Sequence, residues 1–429
     1  MVTNHLFEKL LSRMLIVALT FLAAAAAYAG EIPKATPEDV GMSTEKLQDI
    51  HRMMQRHIDA GDIQGGVTAV ARRGKVVHFE AHGFLDVEKR IPMPKDAIFR
   101  MASSTKPVLG VAAMMMIEQG LMHPDDPVSK YIPEFKKMQV AVLKEPADKD
   151  ISPLYIGRDD KVPEHRLVPA EREITIHHLL THTSGLRSNG LGSAVAGSTS
   201  WRTMPDATLA SVTPTHAKVP LDFQPGTRWF YSGGTGLDVV ARIIEIVSGT
   251  PFDVFLRERI FNPLGMNDTY FNVPENKKSR RVVIQGRDMT RWANRGPTKY
   301  FSASGGLSST AGDFLRFEQM LVNQGALFGN RIISPQSVKT MSTNQVGDLY
   351  KGLRLNESGM GFGYTVAVVL DQALSKSTRS NGAFGWGGAF GTRSWTDPAE
   401  ALTGVIMLQQ PHLQTQNEFD YAVRQAIVD

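Results

Sequence analysis

Ser103 and Lys106 stand three residues apart in Ser103-Ser104-Thr105-Lys106-Pro107, ahead of a stretch, 108–119, that is apolar on nearly every side. At a helix start this spacing puts both side chains on one face. A serine hydroxyl is a weak nucleophile until a neighbouring base draws off its proton. A lysine that is buried, or that faces another polar group, can be tuned to accept it. The helix N-terminus adds a field favouring negative charge at Ser103. Spacing alone is not specific, because Ser43-Thr44-Glu45-Lys46 repeats it. There Leu47, Ile50, Met54 and Ile58 recur with helical period, which predicts a capped, amphipathic surface helix ending at Gly61. Only Ser103 opens a buried helix, and Pro107, tolerated in a first turn, pins its start.

Other chemistries find no support. No serine sits in a Gly-x-Ser-x-Gly setting, and no Gly-rich phosphate loop occurs. His178 and His182 are four apart, but Leu179 stands where a zinc peptidase needs glutamate, so these two and His177 read as hydrogen-bonded structural groups. The chain has no cysteine, which excludes thiol catalysis, thiolate metal sites and a lipidated N-terminal cysteine. No metal and no cofactor are expected. With 42% hydrophobic and 21% charged residues over 429 positions, the chain can bury a large core. Its net charge of +4 comes without basic runs interleaved with aromatics, so no nucleic-acid partner is expected.

The elements that must position these residues follow from periodicity. Residues 67–71 and 76–81 read as a hairpin across Arg72-Arg73-Gly74-Lys75. The Met114-Met115-Met116 run is core filler. Helices are predicted over 174–182, 237–247 and 252–261, with a long polar loop over 190–215. Strands return at 363–370, 384–395 and 402–408, and a helix over 418–428 closes the chain. Strands at both ends with helices between predict an α/β (α+β) fold: one sheet flanked by helices, formed by 30–122 and 300–429, with a helical insertion over 123–299. Lys9 and Arg13 precede an apolar run, 14–27, and Ala27-Tyr28-Ala29 has the small-x-small form of a cleavage site. Residues 1–29 are therefore expected to be a signal peptide, giving a periplasmic or secreted protein with no membrane anchor after cleavage.

The Ser103 motif resembles that of serine β-lactamases and penicillin-binding proteins, and other stretches agree with it in order. Residues 174–186, containing Leu180-Thr181-His182-Thr183-Ser184-Gly185, are similar to a segment of the class C-like branch. Gln224-Pro225-Gly226-Thr227 leading to Tyr231-Ser232-Gly233 resembles its tyrosine motif, and Ser304-Gly305-Gly306-Leu307-Ser308-Ser309-Thr310 a further marker. Gly385-Trp386-Gly387-Gly388-Ala389 falls at the third motif, on a sheet strand. The resemblance implies an antiparallel sheet with helices and a mostly helical insertion. It makes Ser103 the acylated nucleophile, Lys106 and Tyr231 its general base and acid, and the backbone N–H groups of Ser103 and Ala389 the oxyanion hole. Two departures bear on substrate. Trp386-Gly387-Gly388 replaces a Lys-Thr-Gly-like triplet, and Gly233 replaces an asparagine, which leaves a more apolar site. That combination resembles the family VIII carboxylesterases, so a small-molecule ester is the expected substrate. A β-lactamase or D,D-peptidase using the same residues, and a binding domain without turnover, are the alternatives.

Overall fold

A computed structural model describes residues 30–144, 156, 161–197, 206–285, 297–353 and 358–429. The expected signal peptide lies outside the described residues. Ser43 accepts a hydrogen bond from Lys46 N at 3.3 Å and caps helix α1 (Thr44–Asp59). The Ser43/Lys46 pair is thus a cap. The hairpin follows as β1 (Gly65–Arg72) and β2 (Lys75–Asp86), with a short strand β3 (Ile91–Pro92) beside it. A one-turn 3-10 helix, Ala102–Thr105, leads into α2 (Lys106–Glu118), buried on every side from Lys106 to Met116. Helix α3 (Gly236–Ser248) packs against α2, and α4 (Ala311–Val322) lies under the sheet. Strands β4 (Met360–Phe362), β5 (Ala367–Val369), β6 (Phe384–Gly387), β7 (Arg393–Asp397) and β8 (Leu402–Leu408) precede α5 (Leu413–Gln425).

These strands form one eight-stranded sheet in the order β4-β5-β6-β7-β8-β1-β2-β3. Every pairing is antiparallel, and β1 joins β8 from Gly66↔Leu408 to Arg72↔Leu402. One face carries α1 and α5 over Val70, Trp395, Ile406 and Leu408. The other packs Val67, Ala69, Val405 and Met407 into the larger core that holds α2, α3 and α4. Alternation along β1 and β8 sends successive side chains to these two cores, which is why both strands are buried throughout.

Several expectations are corrected. The strand predicted over 384–395 is two strands around a turn, since Gly387, Gly388 and Gly391 (φ +96°) allow the chain to reverse. The polar loop over 190–215 contains helices Leu191–Ala196 and Leu209–Val212, the second capped by Thr208. The insertion expected to be helical also carries a hairpin, Gln139–Leu143 with His165–Pro169. The helix over 252–261 changes at Arg257 from α to a π turn, Arg257–Phe261. Helix α4, capped by Thr310, and helix Pro335–Met341 fill the stretch ahead of the predicted strands, for which no element was expected. The last helix begins earlier, capped by His412.

Candidate active site

The turn that presents Ser103 is strained and clamped. Ala102 adopts φ +44°, a left-handed conformation that non-glycine residues rarely take. The clamp comes from the β6–β7 turn. Thr392 Oγ1 donates to the Met101 carbonyl at 3.0 Å and shares a 2.9 Å hydrogen bond with Ser104 Oγ. Gly388 lies so close that a Cβ there would sit 2.1 Å from Met101 O, so no larger residue fits. This contact holds the turn that carries Ala389 against the segment that leads into Ser103. The Ser103 backbone N–H, in the first turn of its helix, has no intrahelical carbonyl. Gly387 and Gly388 are half-buried, and Ala389 is exposed.

Lys106 is fully buried, yet among the described residues it meets no carboxylate. Its Nζ donates to Ser304 O at 2.6 Å and to Gly233 O at 3.1 Å, and lies 3.2 Å from Ser103 Oγ. The marker segment at 304–310 thus earns a physical role: it supplies a carbonyl to the lysine. It also braces the nucleophile, because Met101 N donates to Leu307 O at 2.9 Å and Phe99–Arg100 pairs with Ser308–Ser309.

Tyr231 is brought in by residues 182–186. Phe230 N donates to His182 O at 3.1 Å, and Ser232 Oγ to Leu186 O at 2.8 Å. The Tyr231 ring lies under Lys106, with Nζ 5.0 Å from the ring centroid. Its hydroxyl accepts from Trp386 Nε1 at 3.3 Å, which is the hydrogen bond it makes among the described residues. Hydroxyl, amine and phenol ring therefore converge, with the phenol oxygen turned toward the indole. Trp386 continues into a buried aromatic cluster with Trp229, Tyr350 and Phe362, and Gly233 opens to solvent at its edge.

The histidines need one correction. His177 Nδ1 meets Tyr364 Oη at 3.2 Å, and His178 Nδ1 accepts from Thr175 N at 3.1 Å in a capping box. His182, expected to be hydrogen-bonded, has neither ring nitrogen paired. It packs edge-on to Tyr231 at 4.8 Å, also meeting Trp229 and Phe362, and burial holds its imidazole neutral, well below its ordinary pKa.

Sequence reasoning missed Asp238. This fully buried carboxylate accepts from Ser304 N at 2.8 Å, from Tyr300 Oη at 2.8 Å and from Ser302 Oγ at 3.0 Å. It fixes the loop whose next atom, the Ser304 carbonyl, receives Lys106. Burial raises its pKa, against the pull of these donors. A carboxylate in the first turns of an otherwise apolar helix was the signal available.

Fold and site define a serine hydrolase on the β-lactamase scaffold. The chain belongs to the beta-lactamase family, whose model matches residues 50–428. It is 35% identical over 373 residues to Protein Rv1367c of Mycobacterium tuberculosis, covering 82% of this chain and 87% of that one. It is 28% identical over 391 residues to Esterase EstB of Burkholderia gladioli, covering 85% and 90%. Among solved structures it is similar to EstCE1, described as a hydrolase with promiscuous acyltransferase activity. That match has a TM-score of 0.71 at 24% identity and covers 90% of this chain and 99% of the other.

Proposed function

We propose that the protein cleaves carboxylic esters through an acyl-enzyme on Ser103. In the neutral amine, the two N–H bonds of Lys106 serve the carbonyls of Gly233 and Ser304, and the lone pair is left facing Ser103 Oγ. Ser103 Oγ bonds to the ester carbonyl carbon as its proton passes to Lys106. The backbone N–H groups of Ser103 and Ala389 hold the oxyanion. The C–O bond to the alcohol then breaks as Tyr231 gives its phenol proton to the leaving oxygen, and the proton held on Lys106 passes to the phenolate, which restores the neutral amine and phenol. Water attacks the acyl group by the reverse route and frees Ser103.

The observation that carries ester over amide is the indole set against Tyr231. Trp386 is 9% exposed and packed edge-on or tilted against Phe362 and Tyr231, and its N–H is spent on Tyr231. An apolar surface of this kind next to the reacting groups favours an apolar acyl or alcohol group. Esterase EstB and the hydrolase EstCE1 support the same reading. We also place the enzyme outside the cytoplasm, with residues 1–29 as its export signal.

The test is hydrolysis of short p-nitrophenyl esters. The native protein should turn them over, and Ser103→Ala should lower kcat by about 10⁴-fold or more. Rapid nitrocefin cleavage without ester turnover would transfer the reading to amide hydrolysis.

A further inference from the structure

On the face of the sheet that α1 covers, β2 presents His78, Glu80 and His82 at alternating positions. Phe79 and Ala81, the residues between, pack toward the core that holds α2. His51 of α1 projects onto the same row. Its Nδ1 lies 3.3 Å from Glu80 Oε2, and its ring is 5.6 Å from that of His82. We propose that His51, Glu80 and His82 form a binding site for a divalent transition cation of the zinc type, on the opposite side of the sheet from Ser103.

Three observations carry this. Ligand atoms from the three residues all lie within 4.8 Å of one another. Two imidazoles and one carboxylate, with water in the fourth position, are a donor set that zinc accepts in tetrahedral geometry. Closing to bond distances of about 2.0–2.2 Å requires rotation of His51 and Glu80, the two side chains with solvent around them (61% and 43% exposed).

The buried ligand is already oriented. Thr68 Oγ1, fully buried, shares hydrogen bonds with His82 Nε2 at 2.9 Å and His78 Nε2 at 2.7 Å. One hydroxyl donates once, so at least one of the two imidazoles donates its Nε2–H to Thr68 and keeps a lone pair on Nδ1. A second hydrogen bond that fixes tautomer and ring orientation is what a metal-bound histidine requires. The expectation of no metal rested on missing thiolates and on the His178/His182 pair, which lie elsewhere in the fold. A cation here would tie α1 to β2 and take no part in acyl transfer.

The test uses tag-free, chelator-treated full-length protein titrated with zinc chloride. Binding is followed against a chromogenic chelator, alongside the thermal midpoint. The native protein should bind one high-affinity zinc and gain about 3 °C at 100 times Kd. Ester turnover should stay the same. His51→Ala and Glu80→Gln, both at solvent-accessible positions, should keep the metal-free midpoint and weaken zinc binding about 100-fold. The proposal is overturned if zinc does not bind up to 1 mM. It is equally overturned if both variants bind like the native protein, which would seat the ion at the separate His57, Asp62 and His412 cluster.

Discussion

Two buried cations in this molecule are handled in opposite ways. Arg72, 2% exposed at the end of β1, is neutralised by carboxylates: Glu400 at 2.7 Å and Asp429 at 2.6 Å, with the carbonyls of Val40 and Gly41 completing its shell. The guanidinium in turn holds Asp429 below its ordinary carboxylate range. Lys106, equally buried, is given carbonyls and a hydroxyl and no counter-ion among the described residues. A carboxylate in contact would favour the charged amine and lock its proton in place. Dipoles satisfy either protonation state. The corner at Arg72 pairs its cation with counter-ions, whereas Lys106 is surrounded by dipoles, the setting that the proton-exchanging role proposed for it calls for. Asp238 keeps to the same logic, since its charge reaches Lys106 only through the Ser304 peptide.

A buried acid offers the largest way to sharpen this contrast. Glu318 of α4 is bonded by hydroxyls, Ser394 Oγ and Thr396 Oγ1 at 2.6 Å each, and burial pushes it up to about 7 from an ordinary 4.5. The folded state thus keeps a proton that the unfolded chain has released. Stability is fully present below pH 4.5 and is lost as pH rises through about 7. At about 1.4 kcal/mol per unit, the difference is about 3 kcal/mol. Denaturant unfolding at pH 4.5 and 8 should show a loss of stability with rising pH that is smaller by about 3 kcal/mol in Glu318→Gln than in the native protein. An equal loss in both would assign the pH dependence to other groups.

A smaller effect comes from giving Lys106 the counter-ion it lacks. A Cβ at Gly233 would meet only the Tyr231 ring, at 3.4 Å, so a side chain fits there. Gly233→Asp should lower ester kcat at pH 7 about 10-fold and shift the acid limb of the pH–rate profile to higher pH. Gly233→Asn should leave that limb in place. Identical profiles for the two would show that a neighbouring charge does not govern Lys106.

Much of this arrangement was legible beforehand. Ser103 and Lys106 stood out because spacing, a first-turn proline and an apolar helix all agree locally. Tyr231 and Ala389 were reached through resemblance, because no local pattern marks a phenol or an amide brought in from distant sequence. The Thr392 clamp, the Ser304 carbonyl and Asp238 were hidden for the same reason. Each acts through a backbone group or a contact across more than 60 positions. The β6–β7 split was misread because aromatic residues and glycines alternate through it as they would in one strand, until Gly388 and Gly391 turn the chain. The hairpin at Gln139–Leu143 and His165–Pro169 escaped because its second strand is largely exposed and carries little apolar pattern.

The account depends most on Ser103 being the group that takes the acyl chain. Treatment with a fluorophosphonate followed by peptide mass spectrometry tests this directly. A single adduct on the peptide containing Ser103, absent from Ser103→Ala, is the predicted result; an adduct on any other serine, or an unlabelled but ester-cleaving protein, would contradict it.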